Sequence, residues 1–323
     1  MRQPIIFMFS GQGSQYYHMG KALYSQNTVF RHWLSKLNDI VYNSAGISII
    51  DEIYNQAKSK GDRFDNLIYT HPAIFMVEYS LVQVLIEQGI KPDYVLGASL
   101  GEFTAAAIAG VLSLEETLDC ILKQVEVFEK YCQPGSMIAV IHNPDLYNQS
   151  AEIFLHSELA AVNYSSHFVI SGHSSSLFDI EKYLKTEDMQ FLTLPVKYGF
   201  HSTNIDPAEE EYKKFLRNFS FSFRKPEIPI ISCSLSSWVT DISPEYFWNV
   251  VRQPIQFQKT IGKLEATRQF NYIDLGPSGT LASFVRNNLL DKGSASQIYD
   301  VLTPFDQEIK KLDKLNELKF KIK

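Results

Sequence analysis

Residues 93–110, DYVLGASLGEFTAAAIAG, constrain the fold more than any other stretch of the chain. Val95 and Leu96 belong to an apolar, strand-like run, and Ser99 stands between Gly97 and Gly101. EFTAAAIAG follows as a run of good helix formers with Gly110 near its end. A strand that turns through Gly-x-Ser-x-Gly directly into a helix needs glycines where backbones approach, and it belongs at the carboxyl edge of a parallel sheet. On such an elbow the serine hydroxyl is exposed, and the amide of Leu100 points from the helix N-terminus toward a developing oxyanion. The pentapeptide alone is equally compatible with a glycine-serine turn that merely opens a helix.

The rest of the chain supplies the context the elbow needs. PIIFMFS, DYVLGAS, IPIISC and FNYIDLG read as short buried strands ending in turn chemistry, with helical patterns between them. That alternation predicts an α/β fold with a mainly parallel sheet. Between about Ser136 and Val196 the texture changes to short strands, MIAVI, LAAVNY, HFVISG and FLTLPV, with one helical segment around SLFDIEKYLK. This predicts a small α+β subdomain, residues 134–198, inserted into a larger body made of 1–133 and 199–323. At the end of the chain, Thr303 is placed to cap a helix, with Pro304 at its first position and Asp306 in its first turn. Ile309, Leu312, Leu315 and Leu318 then form an apolar stripe, so 303–323 is predicted as an amphipathic helix packed on its own body.

Composition narrows the function classes. With 323 residues and 45% hydrophobic content the chain can bury a large core, and a net charge of -6 without a basic cluster argues against nucleic acid as a partner. Cys120, Cys132 and Cys233 have no C-x-x-C spacing and read as core thiols; no His/Cys/Asp group has metal-ligand spacing, so no metal is expected. The longest apolar stretch, from Pro72, is interrupted by Glu78, Gln83 and Glu87, which predicts a buried or amphipathic helix rather than a membrane span. The apolar run near Met1 is too short for a signal peptide, and the expected location is the cytoplasm.

Seven blocks occur in one order: FMFSGQGSQ, THPAIFMVEYSL, GASLGEF, AAVNYSSHFVISG, VKYGFHS, VRQPIQF and IDLGPSGTL. Together, over nearly the whole chain, they resemble the malonyl-CoA:acyl-carrier-protein transacylase family, including polyketide synthase acyltransferase domains. The resemblance implies an α/β-hydrolase-like large subdomain carrying a ferredoxin-like small one, with the site in the gorge between them. It implies ping-pong chemistry, in which the serine takes an acyl group from one thioester and a phosphopantetheine thiol or water removes it. Carried over by position, Ser99 is the nucleophile and His201 the general base and acid. The amides of Gln12 and Leu100 form the oxyanion hole, and a backbone carbonyl near Val250 orients the imidazole. A Ser…Asp…His hydrolase scheme fits less well, because its histidine falls late in the chain whereas about 120 residues follow His201.

Three positions depart from the family. Members that use malonyl-CoA carry an arginine about 25 residues beyond the serine, which clamps the substrate's free carboxylate; the matching residue here is Gln124. A neutral amide cannot neutralise a carboxylate in a water-poor gorge, so the expected bias runs away from dicarboxylic acyl groups. A one-residue slip would make Lys123 the match, and Arg252 or Lys197 could supply charge from elsewhere. Ala98 replaces the usual histidine before the nucleophile and His71 the usual glutamine, which reshapes the mouth of the acyl pocket. Phe200, beside the base, either limits the acyl α-branch or is a core aromatic.

Discrete proteins that this chain resembles, likewise lacking the arginine, occur in polyketide clusters whose synthase modules have no acyltransferase of their own, and some clear stalled acyl groups from carrier proteins. The sequence therefore points first to a hydrolase of non-carboxylated acyl groups held on acyl carrier protein. A transferase that loads malonyl or another acyl group from acyl-CoA comes second, and a catalytically dead carrier-docking scaffold third. The only cofactor implied is the partner's phosphopantetheine arm, arriving as substrate.

Overall fold

The computed structural model describes residues 2–218, 223–290 and 293–322, with side chains up to residue 317. Its strands are β1 (Ile5–Phe9), β2 (Tyr94–Gly97), β3 (Gly135–Val140), β4 (Glu158–Tyr164), β5 (His167–His173), β6 (Phe191–Thr193), β7 (Ile230–Ser232), β8 (Ser237–Trp238), β9 (Asn271–Asp274) and β10 (Gln297–Asp300). One sheet has the order β10-β9-β1-β2-β7-β8 and is parallel except for the edge pair β7 and β8. β1, IIFMF, is buried on both faces, as a central parallel strand must be. Its side chains alternate: Ile5, Phe7 and Phe9 enter the larger core, while Ile6 and Met8 enter a second core on the opposite face.

β2 and β9 flank β1 on opposite sides, so the chain reverses its direction of winding at β1. In open α/β sheets the crevice at the carboxyl ends of strands on either side of such a point is where ligands bind. The segments leaving β1 and β2 are the Gly-Gln-Gly-Ser loop and the serine elbow.

The second sheet has the order β4-β5-β3-β6 and is antiparallel. With its helices it gives the β-α-β-β-α-β succession of a ferredoxin-like unit. Ile138, Val140, Phe168 and Ile170 pack under the helix Ser174–Thr186, forming a separate small core. The alternate residues Met137, Ala139 and Val169 face the large body. One sheet therefore supplies both the small subdomain's core and one wall of the cleft.

The end of the chain differs from expectation. The last helix is Glu308–Ile322, and Thr303 and Pro304 precede it in irregular backbone. Asp306 adopts a left-handed φ of 53°, which interrupts any helix begun at Pro304. Leu312 and Leu315 are buried against the body, and Leu318 lies outside the described side chains. No described helix is long and apolar enough to cross a membrane.

Candidate active site

The elbow forms where the sequence placed it. β2 ends at Gly97, Ser99 takes a left-handed φ of 54°, and the helix Gly101–Ile108 starts two residues later. A Cβ on Gly101 would lie 2.1 Å from the carbonyl oxygen of Phe9, so only glycine lets the elbow helix approach the end of β1. A serine in this region of φ/ψ is strained by about 1–3 kcal/mol, and the packing of β1, β2 and the helix holds it there.

The side chain of Ser99 meets His201, with Oγ and Nε2 2.9 Å apart. His201 is buried and itself has a positive φ of 61°. Its Nδ1 lies 2.7 Å from the carbonyl oxygen of Gln253, and its amide donates to the carbonyl of Val251 at 2.9 Å. A carbonyl can only accept, so Nδ1 carries the proton and Nε2 is free to accept one from Ser99. Burial lowers the imidazole pKa to about 4, with the Gln253 carbonyl opposing that shift and Arg252 adding to it. The ring is thus a neutral acceptor at neutral pH.

The orienting carbonyl is Gln253 rather than Val250, three residues further on. Val250 lies inside the helix Pro244–Arg252, whereas Gln253 is its C-cap with extended φ and ψ of -82° and 152°. Pro254 is the reason: a residue before proline is driven out of the helical region, which turns its carbonyl away from the helix axis.

Behind the elbow, Glu102 ties these parts together. Its carboxyl accepts from the amide of Ser234 at 3.1 Å and from the Tyr246 hydroxyl at 2.6 Å, and Tyr246 stands on the helix that ends at Gln253. Burial pushes the Glu102 pKa up to about 7.

A cavity of about 290 Å³ opens over Ser99 and His201. The large body contributes Gln12, Ala98, Phe200, Phe257, Leu281 and Phe284, and the small sheet contributes Met137, Ala139, Ala161, Asn163, His167, Val169 and Leu192. Among the described residues no lysine or arginine lines it. Lys123 pairs outward with Glu126 at 2.7 Å, Lys197 with Asp65 at 3.5 Å, and Arg252 with Asp206 and, at 3.7 Å, Glu158.

The other residues singled out by sequence fall in two groups. Gln12 lines the cavity with Ser99, Leu100 follows Ser99 in sequence, and among the described residues neither amide donates a hydrogen bond to protein. Ala98 and Phe200 are at the cavity, whereas His71 and Gln124 are buried outside its lining. The His71 ring packs 5.9 Å from that of Phe200, and burial lowers its pKa to about 3. Gln124 Nε2 is 3.5 Å from the Tyr212 hydroxyl, and its Oε1 has no partner. Sequence reasoning passed over Asn163 and His167, which share a 3.0 Å hydrogen bond, and Gln253, although Pro254 was a local signal for it. No cluster of potential metal ligands occurs among the described residues.

A neutral imidazole on a serine hydroxyl, two unpaired amides beside it and a largely apolar cavity can perform acyl transfer through a covalent serine ester. Comparison with known proteins identifies the family. Residues 6–311 match the acyl transferase domain family. A Bacillus subtilis protein named polyketide biosynthesis acyltransferase homolog PksD is 49% identical over 97% of this chain and 96% of its own. Its counterpart BaeD from Bacillus velezensis is 46% identical over 98% and 97%. The solved acyltransferase domain from the second module of the salinomycin polyketide synthase superposes with a TM-score of 0.85 at 26% identity, over 98% of this chain and 73% of that one. With the family matched along almost its full length, the chain is a member of the acyl transferase domain family.

Proposed function

We propose that this acyltransferase serves polyketide biosynthesis by taking non-carboxylated acyl groups, such as acetyl, from the phosphopantetheine arm of acyl carrier protein and releasing them to water. In this reading Ser99 Oγ gives its proton to His201 Nε2 and attacks the thioester carbonyl. The amides of Gln12 and Leu100 hold the negative oxygen. Collapse breaks the C–S bond, and the departing sulfur takes the proton from Nε2. Water then gives a proton to Nε2 and attacks the acyl-serine; the ester C–O bond breaks, Nε2 returns the proton to Ser99 Oγ, and the carboxylic acid is freed.

The observation that carries the choice of acyl group is the cavity lining. A carboxylate entering a gorge walled by Met137, Val169, Leu192, Leu281 and Phe284 would lose its hydration without gaining a cation, because the nearby lysines and arginine are already paired elsewhere. A neutral acyl group carries no such penalty. The relatives named for polyketide biosynthesis support the carrier protein as donor.

Incubation with acetyl- and malonyl-loaded carrier protein, followed by intact mass, tests the reading. Acetyl should leave about ten- to a hundred-fold faster than malonyl, the value of one hydrogen bond to a charged group. Rapid loss of malonyl with acetyl untouched would overturn it. Appearance of the acyl group on a second carrier, rather than as free acid, would make the protein a loading transferase.

A further inference from the structure

Glu78 is a carboxyl that the chemistry above does not use. It sits in the helix Leu67–Glu87 among Ile74, Phe75, Met76, Val77 and Leu81, all of them fully buried like itself. A side chain that only filled this space would be apolar, as its neighbours are. Glu78 instead joins two segments of the site. Its Oε1 accepts from the Ser10 amide at 2.7 Å and lies 3.1 Å from the Ser10 hydroxyl; its Oε2 accepts from the Thr104 hydroxyl at 2.7 Å.

Each arm leads to one of two unpaired amides. On one side, Ser10 follows β1, and its hydroxyl is 2.9 Å from that of Ser14, which in turn donates to the Gly11 carbonyl at 2.9 Å. These bonds close the loop that carries Gln12. On the other side, Thr104 lies one turn along the elbow helix from Leu100. A donor to an oxyanion works only within about 2.7–3.1 Å of the oxygen, so the spacing of the two amides has to be fixed by something that touches both segments.

We propose that Glu78 is a positioning residue that sets the distance between the Gln12 and Leu100 amides by anchoring the loop after β1 and the elbow helix to one carboxyl group. The proposal rests on the oxyanion hole described under the proposed function. Glu78 touches neither substrate nor Ser99 and acts only through Ser10 and Thr104.

The test separates acylation from binding. The rate of acyl-Ser99 formation from a carrier-bound acetyl thioester is followed by rapid quench and intact mass, and thioester affinity is measured on the Ser99→Ala background. Glu78→Ala should slow acylation about a hundred-fold, the usual cost of one oxyanion donor, with affinity changed by less than about threefold. Glu78→Gln keeps an acceptor for Ser10 and a group that can bond Thr104, and should restore acylation to within about fivefold of wild type. Thr104→Val, which cuts one arm, should fall between the two. If Glu78→Ala does not fold, Glu78→Gln and Thr104→Val decide the matter. Wild-type acylation rates in Glu78→Ala or Thr104→Val, or failure of Gln to rescue, would overturn the proposal. A wild-type enzyme that never acylates Ser99 would instead overturn the reading it rests on.

Discussion

Replacing Gly11 with alanine would bring a methyl carbon to 2.9 Å from Cβ of Ser99, 3.0 Å from the carbonyl oxygen of Ala98 and 3.2 Å from the amide nitrogen of Leu100. Carbon atoms rest about 3.5–4.0 Å apart, so the loop after β1 must retreat from the elbow by roughly half an ångström or more. Two of the three contacts are backbone atoms that no rotamer change can move. Gln12 is the next residue, and its amide would move with the loop. The useful range for an oxyanion donor spans only about 0.4 Å, so such a retreat removes one donor and should cost about 10²–10³ in the acylation rate, or ~2.7–4 kcal/mol of barrier. Overpacking should cost a further ~1–3 kcal/mol of stability, which a protein with about 5–15 kcal/mol in reserve survives. The assay is rapid-quench acylation alongside urea denaturation. Gly262→Ala is the control, since its methyl meets nothing within 4 Å and it lies in the helix Phe257–Glu265. It should acylate normally and gain about 0.5–1 kcal/mol of stability. A folded Gly11→Ala protein that acylates within about threefold of wild type would refute the geometry.

Two further outcomes concern pH. Because burial lowers His201 to about 4, kcat/KM for a neutral acyl thioester should be flat from neutral pH downward and fall only near pH 4; a midpoint near the ordinary imidazole value would show that water reaches the ring. Glu102 behaves in the opposite sense for stability. Its folded pKa, about 7, lies above the unfolded carboxylate value of 4.5, so the native state holds a proton that the unfolded chain has lost. The stabilisation is full below about pH 4.5 and is lost as pH rises to about 7, a span worth about 3 kcal/mol at most. Glu102→Gln mimics the protonated form, and urea melts at several pH values should show this decline reduced.

The parts of the fold legible in the sequence are those that depend on local chemistry. DYVLGAS and PIIFMFS became β2 and β1 because continuous apolar runs can only be buried strands here, and the glycines around Ser99 mark where backbones nearly touch. β10, QIYD, was missed because it is a half-exposed edge strand without an apolar run. The capping pattern at Thr303 predicts a start for the last helix that is too early, because the left-handed turn at Asp306 is not visible in that pattern.

The site was legible where one segment carries the geometry and obscure where several converge. Gln253 reaches His201 across 52 positions of sequence, and only Pro254 hints that its carbonyl leaves the helix. In the sequence Glu78 stands out only as an interruption of an apolar stretch. That a carboxyl in such a helix must find donors is a local rule, but which donors it finds, Ser10 and Thr104, is fixed by tertiary packing. The sequence places Gln124 in the acyl pocket, yet it lies outside the cavity lining against Tyr212, so the lack of a cation among the described lining residues is a property of the whole wall and not of one residue.

The central claim is that Ser99, activated by His201, carries the acyl group. Its most direct test is the intact mass, and then the peptide map, of the protein mixed with an acetyl thioester of carrier protein and quenched within one turnover. One acyl group on the peptide containing Ser99, absent from Ser99→Ala and greatly reduced in His201→Ala, is the predicted result. Turnover of the thioester with no acyl group at Ser99, or with Ser99→Ala as active as wild type, would contradict it.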